Sequence, residues 1–217
     1  MTQKAFLFDL DGVLVFTEPR WVAAKEALYK KILGPEIANR MGTTTGFPVD
    51  AIYERAKQLG AAISKEEMKE AHMQVAPLIY DDVPIMEKAA ELGALLKRLG
   101  YAIGVVTTSP HDWTDRVLHR LPFSDDLQVV VNLPDMPNLA LKPAPDGYLY
   151  AMRTLGATPE STVILEDSNL GITAAKASGA FTIAFGAYLV PGYEQIAGDT
   201  FAATTDDVMA IVQAREA

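Results

Sequence analysis

Ala5-Phe6-Leu7-Phe8-Asp9-Leu10-Asp11-Gly12-Val13-Leu14 carries an apolar run of strand length into two carboxylates, spaced i and i+2, and then a glycine. The pattern predicts a buried strand that opens into an exposed turn. Gly12 puts the chain into that turn by Asp11, so the two acids splay around one small volume instead of alternating along a continued strand. Two carboxylates there repel each other unless something positive lies between them. Taken alone, Asp-x-Asp-Gly also serves as an ordinary capped turn or helix start. The choice is made by segments downstream that repeat the same event, an apolar strand ending in polar side chains.

The 217 residues, 49% of them hydrophobic, suffice for one large domain or one domain with a smaller insert. No stretch reaches the roughly 18 consecutive apolar residues of a membrane span. Met1-Thr2-Gln3-Lys4 leads into a strand and does not read as a secretory signal, so a cytoplasmic location is expected. With no cysteine and three scattered histidines, disulfides, thiolate chemistry and a zinc site are not expected; a metal would be a hard, oxygen-bound one. A net charge of −9 argues against a nucleic-acid surface but suits an enzyme in which a divalent cation and a few local ammonium groups hold an anionic substrate.

After the first strand the composition turns helical. Arg20 to Leu33 places Trp21, Ala24, Leu28 and Ile32 on one stripe and ends at Gly34-Pro35. Glu36 to Met41 reads as a short turn of helix, Gly42 to Pro48 as a polar loop, and Asp50 to Leu59 and Ser64 to Tyr80 as two more helices, the last opened by Ser64 and Glu67 at capping-box spacing. Residues 16 to 82 therefore form a helical insert. From there helix and strand alternate: helix Ile85 to Leu99, strand Ala102 to Val106, helix His111 to Arg120, strand Leu127 to Val131, helix Gly147 to Leu155, strand Thr162 to Leu165, helix Leu170 to Ser178 and strand Phe181 to Phe185. Such pairs build an α/β fold, a parallel sheet with helices on both faces, here formed by residues 1–15 and 83–217.

In open parallel sheets, ligands bind beyond the carboxyl ends of the strands. Three of these strands end in Asp9 and Asp11, in Thr107-Thr108-Ser109, and in Glu166-Asp167, and the loop after a fourth carries Lys142. The groups divide into complementary tasks. Carboxylates suit a divalent cation, a hydroxyl with turn amides suits phosphate oxygens, and one ammonium offsets the charge of nucleophile and phosphate.

With these four segments in order, the chain resembles the haloacid dehalogenase superfamily, in the branch of phosphatases and phosphomutases whose Rossmann-like core carries a helical cap after the first strand. The matching motifs are Asp9-Leu10-Asp11-Gly12, Val105-Val106-Thr107, Lys142-Pro143 and Glu166-Asp167, and the run Glu166-Asp167-Ser168 with Gly171-Ile172 and Ala174-Ala175 is similar to the β-phosphoglucomutase-like branch. The resemblance implies that Asp9 is the nucleophile that takes up phosphorus, and that Asp11 protonates the leaving oxygen and later activates water. It implies a Mg²⁺ ion held by the Asp9 carboxylate, the Asp11 carbonyl and Asp167, with Glu166 nearby or bonded through water. Thr107, the amide of Thr108, and Ser109 would hold phosphate oxygens, and Lys142 would bridge Asp9 and the phosphoryl group. Singly, Thr107 reads equally as a strand-end cap, Lys142 as a solvated charge and Glu166-Asp167 as a helix start.

Relatives that displace halide lack a carboxylate at the position of Asp11, and phosphonate-cleaving relatives depart there too and add a cap lysine; this chain is similar to neither. The β-phosphoglucomutase pattern fails in the insert. Its His falls at Trp21, its cap-loop Arg at Thr45 and its cap Lys near Val75, so water is the expected acceptor and hydrolysis of small phosphate monoesters, such as sugar phosphates, the expected reaction. A phosphomutase is the alternative. Relatives also carry Asp or Asn before the hinge Thr17, where this chain has Phe16, a residue that either packs or faces substrate. Substrate choice is expected in Gly42 to Phe47 and around Arg20. Arg20 and Arg40 are candidates for an anionic second group, although both also read as solvated helix charges. His72 and His111 read as surface or helix residues without partners. Receiver modules share the acids, hydroxyl and lysine but are about half this length and carry the acceptor on a later strand; a silent binding protein is the other non-enzymatic reading. A monomer acting on a small phosphorylated metabolite, with no nucleic-acid or membrane partner, is the expected working form.

Overall fold

The computed structural model describes residues 2–216 except Thr43, Thr45, Gly46 and Pro48, and of Glu18 the backbone only. The chain divides into two compact units, Met1–Phe16 with Pro84–Ala217, and Thr17–Val83.

The unit Thr17–Val83 is helical: α1 (Glu18–Leu33), α2 (Pro35–Arg40), α3 (Val49–Gln58) and α4 (Lys65–Tyr80). Ser64 caps α4 as its spacing predicts, its hydroxyl accepting from Glu67 N while the Glu67 carboxylate accepts from Ser64 N. Trp21, Tyr29, Met68, Val75 and Tyr80 are buried, because the apolar stripes of α1 and α4 face each other. His72 lies on α4, but it is buried and partnered, which corrects its reading as an unpartnered residue. Its Nδ1 contacts Met68 O at 2.8 Å, its Nε2 lies 3.4 Å from Tyr29 Oη, and burial, with Lys25 adding to it, holds its pKa below the usual 6.5. The i−4 carbonyl partner lies on the helix's own surface, where spacing alone does not tell an inward histidine from an outward one. Arg20 is tied to Asp82 and to Ile79 O, next to where α4 ends.

The other unit holds one six-stranded sheet: β1 (Gln3–Phe8), β2 (Tyr101–Thr107), β3 (Leu127–Asn132), β4 (Ala157–Glu166), β5 (Phe181–Phe185) and β6 (Thr200–Ala202), in the order β3-β2-β1-β4-β5-β6 and parallel at every pairing. Between them run α5 (Ala89–Arg98), α6 (His111–Leu118), α7 (Asp146–Leu155) and α8 (Asn169–Ala177), and α9 (Thr205–Arg215) follows β6. Strand β1 lies inside the sheet, so Ala5 to Phe8 are buried on both faces; that is why they read as an unbroken apolar run. On one face Leu7, Val106, Val131, Ile164 and Tyr148 pack with Ala174 and Ala175. On the other, Phe8 packs against Phe6 and stacks on Phe123. Each such ring contributes about 1.5–3 kcal/mol by leaving water.

Beyond shifts of one or two residues at other element ends, two boundaries differ from the sequence reading and two elements are added. The helix expected from Ile85 starts at Ala89, because Ile85 bridges to Val15 and Lys88 takes a left-handed conformation with φ 55°. Strand β4 starts at Ala157, ahead of Thr162, because Ala157 pairs with Gln3 across a break in register. β6 and α9 were not expected; β6 is only three residues long and its central Phe201 is exposed, so it lacks the apolar signal of a buried strand. Among the described residues no helix is long and apolar enough to cross a membrane.

Candidate active site

Register fixes what meets at the end of the sheet. Phe8 is level with Val105 on one side and Leu165 on the other, so Asp9 leaves the sheet beside Val106 and Glu166, which are still paired near the ends of β2 and β4. Asp9 N donates to Leu165 O at 3.0 Å, and beyond it the chain folds back, Leu14 N and Val15 N both donating to Leu10 O. Gly12 sits in that turn at φ +83°, and a Cβ there would lie 1.9 Å from Asp167 Oδ2. Glycine is demanded twice over, by the backbone and by the carboxylate against it.

Lys142 reaches back from the segment before α7. Its ammonium donates to Asp9 Oδ1 at 2.6 Å, to Glu166 Oε1 at 2.5 Å and to Val106 O at 3.0 Å, and its side chain is 4% exposed. Three acceptors match its three protons. Glu166, fully buried, is saturated as well: Oε1 also accepts from Tyr148 Oη at 2.9 Å, and Oε2 accepts from Asp167 N, Ser168 N and Ser168 Oγ. Gly171 leaves room for it, since a Cβ there would fall 1.7 Å from Glu166 Oε1.

Asp167 is treated differently. Its Oδ1 is buried and has no hydrogen-bond partner among the described residues. Asp9, Glu166 and Asp167 each bring an oxygen within 4.8 Å of the others. Three carboxylates around one ammonium leave two negative charges uncompensated if all are ionised. Burial accordingly pushes Asp9 up to about 8, against the pull of Lys142, and burial with the charges of Glu166 and Asp9 pushes Asp167 well above the carboxylate range. Burial works against the Lys142 ammonium too, but Asp9 and Glu166 outweigh it and keep the group charged. An all-oxygen donor set with excess negative charge and an orphaned oxygen fits a hard divalent cation.

The structure thus brings together Asp9, Lys142, Glu166 and Asp167. The Asp11 carboxylate is outside that group and accepts instead from Ser109 Oγ at 2.7 Å. Thr107 Oγ1 accepts from Ser109 N at 3.0 Å, so Thr107 is buried at the strand end while Thr108 is exposed beside it. Asn132 Nδ2 holds the Ser109 carbonyl at 2.9 Å. Ser109 therefore faces an acid, a contact between residues 98 apart that sequence spacing does not show. Tyr148 and Asn132 were also missed: an aromatic on an amphipathic helix and an Asn at a strand end carry no distinguishing signal. Phe16 packs. Its ring stacks on Tyr188 at 5.0 Å, and Tyr188 Oη accepts from Glu87 N at 3.2 Å. His111 is exposed at the start of α6 and contacts Asp112 and Asp135, so it too has partners that the sequence reading did not assign.

Residues 3–179 match the model of the haloacid dehalogenase-like hydrolases. The chain belongs to that family. Hexitol phosphatase B of Escherichia coli (strain K12) is 30% identical to this hydrolase, over 80% of this chain and 79% of its own. Phosphoglycolate phosphatase of Salmonella paratyphi A is 29% identical over 95% and 88% of the two chains. The crystal structure of CbbY from Rhodobacter sphaeroides in complex with phosphate superposes with a TM-score of 0.71 at 26% identity, covering 94% of this chain and 95% of that one. The family and its phosphatase members support a phosphoric monoester hydrolase.

Proposed function

We propose that the protein is a Mg²⁺-dependent phosphatase of small phosphate monoesters, sugar phosphates or similar metabolites, working through an aspartyl phosphate on Asp9. The observation that carries this is the pairing of Asp9 Oδ1 with the buried Lys142 ammonium at 2.6 Å, beside an Asp167 oxygen that no donor among the described residues satisfies. Asp9 and Asp167 would hold Mg²⁺ together with the Asp11 carbonyl. The ion would offset charge on the nucleophile and on the transferring group. Glu166, with its oxygens already accepting from five donors, would fix Lys142 and the acidic loop.

Asp9 attacks phosphorus with the carboxylate oxygen that Lys142 does not hold, and the P–O bond to the alcohol breaks as Asp11 delivers a proton to the leaving oxygen. Asp11, now a carboxylate, takes a proton from water, which cleaves the aspartyl phosphate and restores Asp9 and the protonated Asp11. Ser109, donating to Asp11 Oδ2, keeps that carboxyl aimed through both steps. Thr107 and the Thr108 amide would receive the phosphate oxygens. Hydrolysis is favoured over phosphoryl return because the helical unit offers no ionisable group at two of the mutase positions: Trp21 and Val75 are buried there, the Trp21 indole donating to Tyr80 Oη, and Thr45 lies outside the described residues. Substrate discrimination is assigned to the helical unit Thr17–Val83, serving as a cap. A monomeric, cytoplasmic enzyme goes with this reading.

The test is release of inorganic phosphate from p-nitrophenyl phosphate with Mg²⁺. Asp9→Asn should lower kcat on the order of 10⁴-fold or more, as loss of a nucleophile does. Activity that survives in Asp9→Asn, or its absence in the native enzyme across a panel of phosphorylated metabolites, would overturn the proposal.

A further inference from the structure

We propose that Gln195 and Tyr193, in the irregular segment between β5 and β6, are positioning residues that hold the acidic loop after β4 in its cation-binding form. The inference rests on the functional reading above for the role of Asp167, and on separate geometry for the brace. Gln195 Nε2 donates to Asp167 O at 2.7 Å and to Phe185 O at 2.9 Å, tying the loop after β4 to the end of β5. Tyr193 Oη accepts from Asn169 N at 2.7 Å. Asn169 answers through its side chain, Nδ2 donating to Glu194 O at 2.9 Å and Oδ1 accepting from Ile196 N at 2.8 Å. Four consecutive residues, 193 to 196, thus contribute to holding Asp167 and Asn169.

The consequence falls on Asp167. Its amide nitrogen is held from within by Glu166 Oε2 at 3.0 Å and its carbonyl oxygen from without by Gln195, so both peptide planes that flank its Cα are anchored. A carboxylate on such a backbone has only its own side-chain rotation left. Its buried Oδ1, which has no partner among the described residues, stays available instead of swinging toward a donor or solvent. Without Gln195 the Asp167–Ser168 peptide can turn, and the ligand must be reordered each time a cation binds. Partners behind a ligand typically govern metal affinity by about 10–100-fold in this way. Gln195 and Tyr193 are only half-buried and line a groove along β6 with Leu189, Thr200 and Phe201, so changing them opens no core cavity.

Mn²⁺ serves as the probe, titrated without substrate into the whole protein and followed by the electron paramagnetic resonance signal of the free ion. Gln195→Ala should weaken binding about tenfold or more, and Tyr193→Phe, which removes one acceptor, by about threefold. Gln195→Glu, which at pH 8 donates to neither carbonyl, should behave as Gln195→Ala; it carries the test if the alanine variant does not fold. In turnover the Mg²⁺ concentration for half-maximal rate should rise in step while KM for p-nitrophenyl phosphate at saturating Mg²⁺ moves less than twofold. Mn²⁺ affinity unchanged in both Gln195 variants overturns the brace and leaves the phosphatase reading standing. Native Mn²⁺ binding that falls in these variants, in a protein that hydrolyses no phosphate ester, supports the brace and removes the phosphatase.

Discussion

The two units bury polar groups in opposite ways. Inside the sheet unit, Asp9, Lys142 and Asp167 are strongly shifted beside the buried Glu166, and one Asp167 oxygen has no donor among the described residues. Inside the helical unit, Tyr29, His72 and Thr44 form a neutral set, with Tyr29 Oη 3.4 Å from His72 Nε2 and 3.5 Å from Thr44 Oγ1. Burying a charge costs far more than burying a hydroxyl or a neutral imidazole, so a fold retains uncompensated charge where something outside the chain is meant to complete it. The neutral set is complete in itself and reads as structure. The difference supports placing the proposed chemistry in the sheet unit, without reference to any relative.

The sharpest way to break the contrast is to remove the ammonium. Lys142→Ala leaves Asp9 and Glu166 buried against each other, and should lower kcat/KM for p-nitrophenyl phosphate about 10³-fold and destabilise the fold by about 3–5 kcal/mol in urea. A loss of stability no larger than that of an exposed lysine, such as Lys31, would erase the distinction between the units. Gly12→Ala comes next. A methyl 1.9 Å from Asp167 Oδ2 must displace that carboxylate, and the φ of +83° adds strain. Activity should drop on the order of 10²-fold, as misplacement near the chemistry does, with about 1–3 kcal/mol of destabilisation; a variant with native activity would show that Asp167 can move without consequence. Ser109→Ala should cost about tenfold in kcat through one lost hydrogen bond to an acid, with KM changed less than twofold. An effect on KM instead of kcat would return Ser109 to the substrate-binding role that its place after Thr107 suggests.

That last pair of outcomes shows where the sequence is informative. Strand ends were legible because a parallel sheet writes its interior as unbroken apolar runs, and the first polar residue after each run marks the binding edge; Asp9, Thr107 and Glu166 were found that way. Lys142 stood out only as a charge in a loop rich in proline, and its place came from resemblance. The hydrogen bonds that give the site its character could not be read. Tyr148 to Glu166, Ser109 to Asp11 and Gln195 to Asp167 join residues 18, 98 and 28 apart, and each donor is of a kind that appears on surfaces everywhere. The final strand escaped for the opposite reason: three residues with an exposed phenylalanine give no periodicity to detect.

The helical unit supplies the smallest effects. Tyr29→Phe should cost about 0.5–1.5 kcal/mol and leave kcat for p-nitrophenyl phosphate within twofold of native. His72 sharpens the comparison through pH. Its pKa in the folded protein lies below the usual 6.5 because burial disfavours the imidazolium. In the unfolded chain the same group binds its proton near 6.5, so below that pH the unfolded state holds more protons than the folded one. Stability tied to His72 is therefore full above about pH 7 and declines as pH falls through 6.5, until the folded histidine also protonates. One proton can contribute a slope of at most about 1.4 kcal/mol per pH unit. His72→Gln keeps a side chain able to donate to Met68 O and removes the titration. Thermal unfolding of native and variant protein compared at pH 7.5 and 5.5 should show the variant losing less on acidification. Equal losses would mean that His72 is not held neutral, and that the helical unit too shelters a charge.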